Sequence, residues 1–174
     1  DYPVTNHTNE SVVHWHENDG GGLFTSHVVT TNALDVRAVE VADLNGDGKL
    51  DLATASQDDD KIAWFENDGF QQFTEHVVTT SADGADKVIT SDLDDDGDID
   101  LVAISTEDRT LAWHENIDAK GSFQKRLIDD SVIFSRSTRT VDLDSDGDQD
   151  ILLADSSSLY WYENDGQENF TRRP

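Results

Sequence analysis

Apolar and polar residues alternate over short stretches along the whole chain, and Gly, Asn and Asp separate these stretches. Alternation with a period of two is typical of β-strands that bury one face. Between residues 50 and 98 the stretches fall at 52–56, 62–66, 73–79 and 87–91. No window has the apolar spacing of an amphipathic helix. The pattern predicts an all-β fold of short antiparallel strands joined by tight turns.

The same pattern repeats along the chain. Trp15, Trp64, Trp113 and Trp161 recur at spacings of 49, 49 and 48 residues, and Glu-Asn follows each after one residue. In most copies Asp-Gly comes next, a dipeptide that tolerates the positive φ of hairpin turns. A period of about 49 residues is within the range of β-propeller blades, each of which has four antiparallel strands. We therefore predict one domain of blade-like repeats at 1–49, 50–98, 99–147 and 148–174, the last of them partial.

The repeat count bears on ring closure. About 3.5 repeats are fewer than the four to eight blades of a closed propeller. The sequence thus predicts a partial propeller, or half of a ring or assembly. We expect each Trp to pack between successive blades, beside an aliphatic residue two positions earlier. An exposed Trp platform for sugars is the alternative.

Three acidic loops share one pattern, which begins at Asp43, Asp92 and Asp142. Oxygen-bearing side chains occupy positions 1, 3, 5 and 9, Gly at position 6 permits a sharp turn, and position 7 offers its backbone carbonyl. Calcium requires such a flexible loop of oxygen ligands, whereas zinc and copper favour His or Cys. We predict about three Ca²⁺ ions, one per loop, at these residues: Asp43, Asn45, Asp47, Lys49 and Asp51; Asp92, Asp94, Asp96, Asp98 and Asp100; Asp142, Asp144, Asp146, Asp148 and Asp150.

The three loops are not expected to be equal. Asn45 replaces an Asp in the first loop and removes one charge, so we expect a weaker site there. An EF-hand is excluded because it needs a bidentate Glu at position 12, where this chain has Thr54, Ala103 and Leu153. The alternative is a solvated acidic turn without an ion, in which the close carboxylates would repel one another.

The charge balance limits the partners. The chain has 38 Asp and Glu against 12 Lys and Arg, a net charge of -26. Nucleic acid and anionic membrane surfaces both need basic patches, so neither is expected as a partner. No apolar stretch approaches the length of a membrane span, so no membrane insertion is expected. Bound divalent cations would offset the self-repulsion of so acidic a chain.

The acidic loop Asp-x-Asp-x-Asp-Gly-x-x-Asp between short strands, together with the Trp-x-Glu-Asn-Asp-Gly turn, resembles the FG-GAP/VCBS repeats. These repeats form the calcium-binding blades of integrin α-subunit propellers and of many bacterial surface and secreted proteins. The resemblance covers essentially the whole chain. It implies calcium binding at the loop residues named above and an extracellular location, either secreted or at the cell surface.

The sequence offers no catalytic motif such as Gly-x-Ser-x-Gly or His-Glu-x-x-His, so we expect no enzymatic activity. His16 and His114 occupy equivalent repeat positions and are interpreted as strand residues. Positive charge concentrates in the last third of the chain, either at solvated strand ends or on a surface complementary to an acidic neighbour. It is carried by Arg126, Arg136, Arg139, Arg172 and Arg173.

Three functional hypotheses follow. The first is a non-enzymatic, calcium-binding extracellular module for adhesion or protein assembly, with a protein or glycan partner. The second is a self-assembling structural or filament subunit, a homo-oligomer that closes or stacks through open blade edges. The third is a carbohydrate-binding or carbohydrate-active propeller that uses repeated aromatic residues such as Phe65 and Tyr162. Asn6, Asn9 and Asn169 begin candidate glycosylation sequons.

Overall fold

The computed structural model describes residues 2–5 and 12–173, with side chains described from residue 12 onward. These residues form strands and no helix, so no helix that could cross a bilayer occurs among them. The strands are β1 Tyr2–Thr5, β2 Val13–Asn18, β3 Phe24–Thr30, β4 Val36–Ala42, β5 Asp51–Ser56, β6 Lys61–Asn67, β7 Phe73–Thr79, β8 Ala85–Ser91, β9 Asp100–Ser105, β10 Thr110–Asn116, β11 Phe123–Asp129, β12 Ser137–Val141, β13 Asp150–Ala154, β14 Leu159–Asn164 and β15 Phe170–Arg173.

The strands form four antiparallel sheets in which neighbours along the chain are also neighbours in space. The first sheet comprises β1–β3, and three four-stranded sheets follow, β4–β7, β8–β11 and β12–β15. The first strands of these later sheets lie side by side, β4 against β8 and β8 against β12. Inner strands of propeller blades have this arrangement. The predicted all-β, partial-propeller fold is confirmed.

The sheets are out of phase with the sequence repeat. The strands predicted within residues 50–98 are present as β5, β6, β7 and β8, but β8 pairs with β9 across the acidic loop and belongs to the next sheet. A sheet therefore spans 36–79 rather than 50–98. The period alone could not show this, because it has the same length wherever counting begins. Each acidic loop joins the first two strands of a sheet, and therefore lies at the same end as the hairpin that joins the last two.

The central tryptophans form the core between sheets. Trp64 is buried in a cluster that contains Leu101 of the following sheet. Trp113 repeats the arrangement one sheet later and clusters with Leu153. The prediction that Trp packs between blades is confirmed for these two residues, and the outer two tryptophans are half-buried.

The aromatic residues on the opposite sheet faces are also core residues. Phe65 and Tyr162 are each 1% exposed, so neither ring can stack on a sugar, which corrects the expectation from sequence. His114 is buried at the equivalent position, and this burial lowers its pKa to about 4. It is therefore neutral at physiological pH.

Side-chain amides fasten later sheets to earlier acidic loops. Asn116 lies at the end of β10, and its Nδ2 donates to the carbonyl of Leu44 in the preceding acidic loop, at 2.9 Å. One sheet later, Asn164 Nδ2 donates to the carbonyl of Leu93 at 2.8 Å. Both Asn side chains are buried, so water does not compete with these hydrogen bonds.

We expect Gly121→Ala to lower the free energy of unfolding by roughly 2–4 kcal/mol, because overpacking adds to left-handed backbone strain. Gly121 has a φ of 81°, and a Cβ there would lie 2.3 Å from the Trp64 ring. Urea denaturation measures the loss. Gly20→Ala is the control, because Gly20 has a φ of 75° with no atom within 4 Å of the added Cβ. Equal losses in the two variants would contradict the packing argument.

We expect Asn116→Ala to lower the free energy of unfolding by about 1–3 kcal/mol more than Asn67→Ala does. Only Asn116 donates a hydrogen bond to another sheet, and its substitution leaves the acceptor in that sheet unpaired. Asn67 Nδ2 donates to Leu50 of its own sheet. The Oδ1 of each Asn accepts an N–H from a Gly of its hairpin, so the two variants lose otherwise matched contacts. Chemical denaturation of both variants in chelator gives the difference, and identical stabilities would refute the proposed role of the inter-sheet bond.

Candidate metal-binding loops

Each acidic loop folds around its own carboxylates. The position-1 Asp accepts a hydrogen bond from the N–H of the position-6 Gly, as Asp92 Oδ2 does from Gly97 at 3.0 Å and Asp43 Oδ2 from Gly48 at 2.8 Å. Gly97 has a φ of 94° and Gly48 a φ of 83°, a conformation that favours Gly. The backbone thereby turns sharply enough to bring distant loop positions together.

The position-9 Asp is buried and fixes the loop to the hairpin beside it. Asp100 Oδ2 accepts the N–H of Leu93 at 3.0 Å, and its Oδ1 accepts the N–H of Asn116 at 2.8 Å. Asp51 and Asp150 make the equivalent pairs of bonds. Burial outweighs these bonds and raises the pKa of Asp100 to about 7. This carboxylate is therefore costly to ionise unless a cation lies nearby.

The second and third loops each gather three carboxylates. Their ligand atoms lie within 4.8 Å of one another in Asp92, Asp94 and Asp100, and in Asp142, Asp144 and Asp146. Oδ1 of Asp92 and Oδ1 of Asp142 are buried and have no hydrogen-bond partner. A buried carboxylate oxygen without a donor is unfavourable, and a cation would satisfy it. An all-oxygen set of this kind fits Ca²⁺.

Like charges crowd both loops. Burial and the neighbouring Asp96 raise the pKa of Asp94, and burial and Asp146 raise the pKa of Asp144. The remaining predicted ligands of these loops, Asp96, Asp98, Asp148 and Asp150, lie outside the two groups of three. Repulsion within each loop would fall when a divalent cation is bound.

The first loop is built differently. Lys49 Nζ lies 2.7 Å from Asp47 Oδ2, and this contact lowers the pKa of Asp47. Asp43 Oδ1 accepts the N–H of Asp47, as does the Oδ1 of Asn45. Among residues 12–173, no group of three acidic side chains forms in this loop. The Lys49 ammonium group thus competes with any metal ion for the carboxylates of this loop. Asn45 is a second difference, because it lacks the charge of an Asp.

The Glu of each Trp-x-Glu-Asn segment has a role that the sequence analysis did not assign. It pairs with a basic side chain on the outer strand. In three sheets this basic side chain lies over the Trp ring, as His76 does on Trp64 with ring centroids 4.4 Å apart. The pairs are Glu17–His27, Glu66–His76, Glu115–Arg126 and Glu163–Arg173. The basic residue that follows each Glu after 10 or 11 positions was the available signal. Two of the arginines noted above therefore have partners within their own sheet.

The structure describes only the last of the three candidate glycosylation sequons. Asn6 and Asn9, together with the nearby His7, lie outside the described residues. Asn169 is exposed in the turn before β15. Its Nδ2 donates to Asp165 Oδ2 at 3.0 Å, so the side-chain amide is held within the turn.

Comparisons with known proteins agree with this architecture. Among solved structures, a lectin from Agrocybe aegerita, described as recognising non-reducing terminal N-acetylglucosamine, is similar with a TM-score of 0.66 and 22% identity. The match covers 94% of this chain and 46% of the lectin, so the chain spans about half the lectin's length. At this identity the likeness concerns the fold alone. A search of curated protein sequences finds no match.

A family profile described as the FG-GAP-like repeat matches residues 1–54, 43–103 and 142–174. The matched ranges together cover more than half of the chain. They include the three acidic loops, whose geometry is given above. The chain therefore belongs to the FG-GAP-like repeat family.

Proposed function

We propose that this chain is a non-enzymatic, calcium-binding recognition module that works outside the cell. Calcium holds the acidic loops at one end of the second, third and fourth sheets, and the connections at the other end remain accessible to a protein or glycan partner. The proposal needs no catalytic residue. An extracellular setting suits it because calcium is abundant there and would saturate sites of modest affinity.

One observation carries the calcium assignment. Asp92 Oδ1 and Asp142 Oδ1 are buried without donors, and each belongs to a group of three close carboxylates. In the first loop the corresponding oxygen, Asp43 Oδ1, already accepts an N–H. The second and third loops therefore bind calcium more tightly than the first, where Lys49 is the competing cation.

Calorimetric titration of the whole chain should resolve two tighter calcium sites and one weaker site. At free calcium 100-fold above the dissociation constant, each site stabilises the fold by about 2.7 kcal/mol, so two sites raise the melting temperature by roughly 10–20 °C. Magnesium should give a smaller shift, because it prefers a tighter octahedral shell. An unchanged melting curve in excess chelator would refute calcium stabilisation.

Asp92→Asn tests the second loop. It removes one charge and replaces one carboxylate oxygen with an amide NH2 group, and should weaken binding at that loop by at least about tenfold. Asp95→Asn is the matched control, because Asp95 is exposed at position 4 of the same loop with a φ of 57°, which Asn tolerates. It removes the same charge without touching the group of three. If both variants weaken calcium binding equally, the loop attracts calcium through its overall negative charge and not through the group of three carboxylates.

Glycan binding is a second candidate function, which the likeness to a lectin fold favours. At the end opposite the acidic loops, a small cleft between the third and fourth sheets is lined by Phe134, Tyr160, Asp155 and Arg172. The cleft encloses only about 30 Å³, so a sugar would contact its mouth rather than enter it. Phe134 is partly exposed at the mouth of this cleft.

A glycan array probed in calcium, including glycans with terminal N-acetylglucosamine, tests this candidate. We expect Phe134→Ala to lower retention on the bound glycans by about tenfold or more, because a stacking ring is lost. Phe70→Ala is the control, because Phe70 is exposed in a hairpin at the acidic-loop end. Absence of glycan binding would remove this candidate and leave the calcium assignment intact.

A further inference from the structure

We propose that Asn45 is a deamidation site, and that its aspartate product gives the first acidic loop the carboxylates of the other two. Asn45 and Gly46 are the one Asn-Gly pair in the sequence. The covalent change is independent of the proposed function, whereas its effect on the loop rests on the calcium binding proposed above. Mass and metal affinity therefore test the two halves separately.

Deamidation is an attack of the chain on its own side chain. The backbone nitrogen of Gly46 bonds to Cγ of Asn45 and loses its proton, which leaves with the Nδ2 amide group as ammonia. One solvent water then opens the cyclic imide at either carbonyl and gives aspartate or isoaspartate. Glycine hinders this attack least, because it has no Cβ and adopts many backbone conformations.

The Gly46 N–H differs from the N–H groups at comparable positions. Every Asp-Gly pair of the chain could close the same ring, but in each a side-chain oxygen accepts the Gly N–H. Gly48 donates to Asp43 Oδ2 at 2.8 Å, and Gly84 donates to Asp60 Oδ1 at 2.9 Å. The other glycines held in this way are Gly20, Gly69, Gly97, Gly147 and Gly166. Among residues 12–173 no protein group accepts the N–H of Gly46, so its nitrogen breaks no such bond when it attacks.

The Asn45 side chain is also activated for attack. Its Oδ1 accepts the N–H of Asp47 at 3.1 Å, and a donor at that oxygen stabilises the negative charge that develops there. Gly46 is exposed and Asn45 is half-buried, so solvent water reaches the pair. An Asp side chain ordinarily carries a negative charge at neutral pH, which repels a nucleophile, whereas the Asn amide is neutral. Ring closure is therefore fastest at Asn45.

The aspartate product alters the first loop at the position that distinguishes it. Asn45 corresponds to Asp94 and Asp144, and each of these belongs to a group of three close carboxylates. The group of the second loop has its equivalents in the first loop at Asp43, Asn45 and Asp51. A carboxylate at position 45 would complete that set of oxygen ligands. Isoaspartate would not, because it inserts a methylene group into the backbone of the loop and displaces the carboxylate.

Peptide mass spectrometry of the whole chain, aged in mildly alkaline buffer without calcium and digested with trypsin, tests the modification. Asn45 should gain the mass of an amide-to-carboxylate exchange at least about tenfold faster than Asn67, because its ring closes over a lower barrier. Asn67 is the internal control, since the N–H that follows it, that of Asp68, donates to the carbonyl of Gln72 at 3.1 Å. Equal rates at the two positions, or an Asn45 that keeps its amide throughout, would overturn the proposal.

Calorimetric calcium titration tests the effect on the first loop. Asn45→Asp should tighten the weak site by at least about tenfold. Asn45→Gln, which keeps an amide, should show no such gain. An Asn45→Asp variant whose weak site is unchanged would refute the effect on the loop, as would isoaspartate as the sole product. A chain in which no loop binds calcium would refute the proposed function together with this effect, and the mass change at Asn45 would still stand.

Discussion

No helix covers a sheet among the described residues, so each sheet depends on its neighbours to bury its apolar faces. Trp64 and Trp113 are the largest fully buried side chains, and each packs in a cluster with residues of the next sheet. The residues beside the Trp64 ring are small because the ring needs room, and Ala85 and Gly121 leave the space that it occupies. Stability is therefore a property of pairs of sheets and not of single ones.

The acidic loops add a polar counterpart to this apolar contact. Asp100 ties its own loop to the hairpin at the same end of the sheet, and Asn116 on that hairpin reaches the carbonyl of Leu44 in the preceding loop. One carboxylate can thus serve as a candidate ligand and as a backbone anchor. Loop geometry and sheet packing are for this reason fixed together.

The strands, the repeat and the burial of the central Trp residues could be predicted from sequence, because alternation and period are local signals. The grouping of strands into sheets could not, since β8 lies inside one sequence repeat and pairs with the next. The difference between the first acidic loop and the other two could be predicted from the sequence only in part. Asn45 was visible as a missing charge, whereas the contact between Lys49 and Asp47 depends on side-chain directions within a turn. Burial of Phe65 and Tyr162 likewise required knowing which face meets a neighbour.

The amide contacts of Asn116 and Asn164 all run in one direction, from a hairpin back to the loop of the sheet before it. A load that separates two sheets must therefore break a loop contact as well as an apolar one. Ordering a loop and holding the sheets together are coupled, and such coupling is reciprocal. If the loops bind calcium as proposed, the mechanical stiffness of the chain would depend on that ion, and the chain would bend more easily in chelator than with its loops occupied.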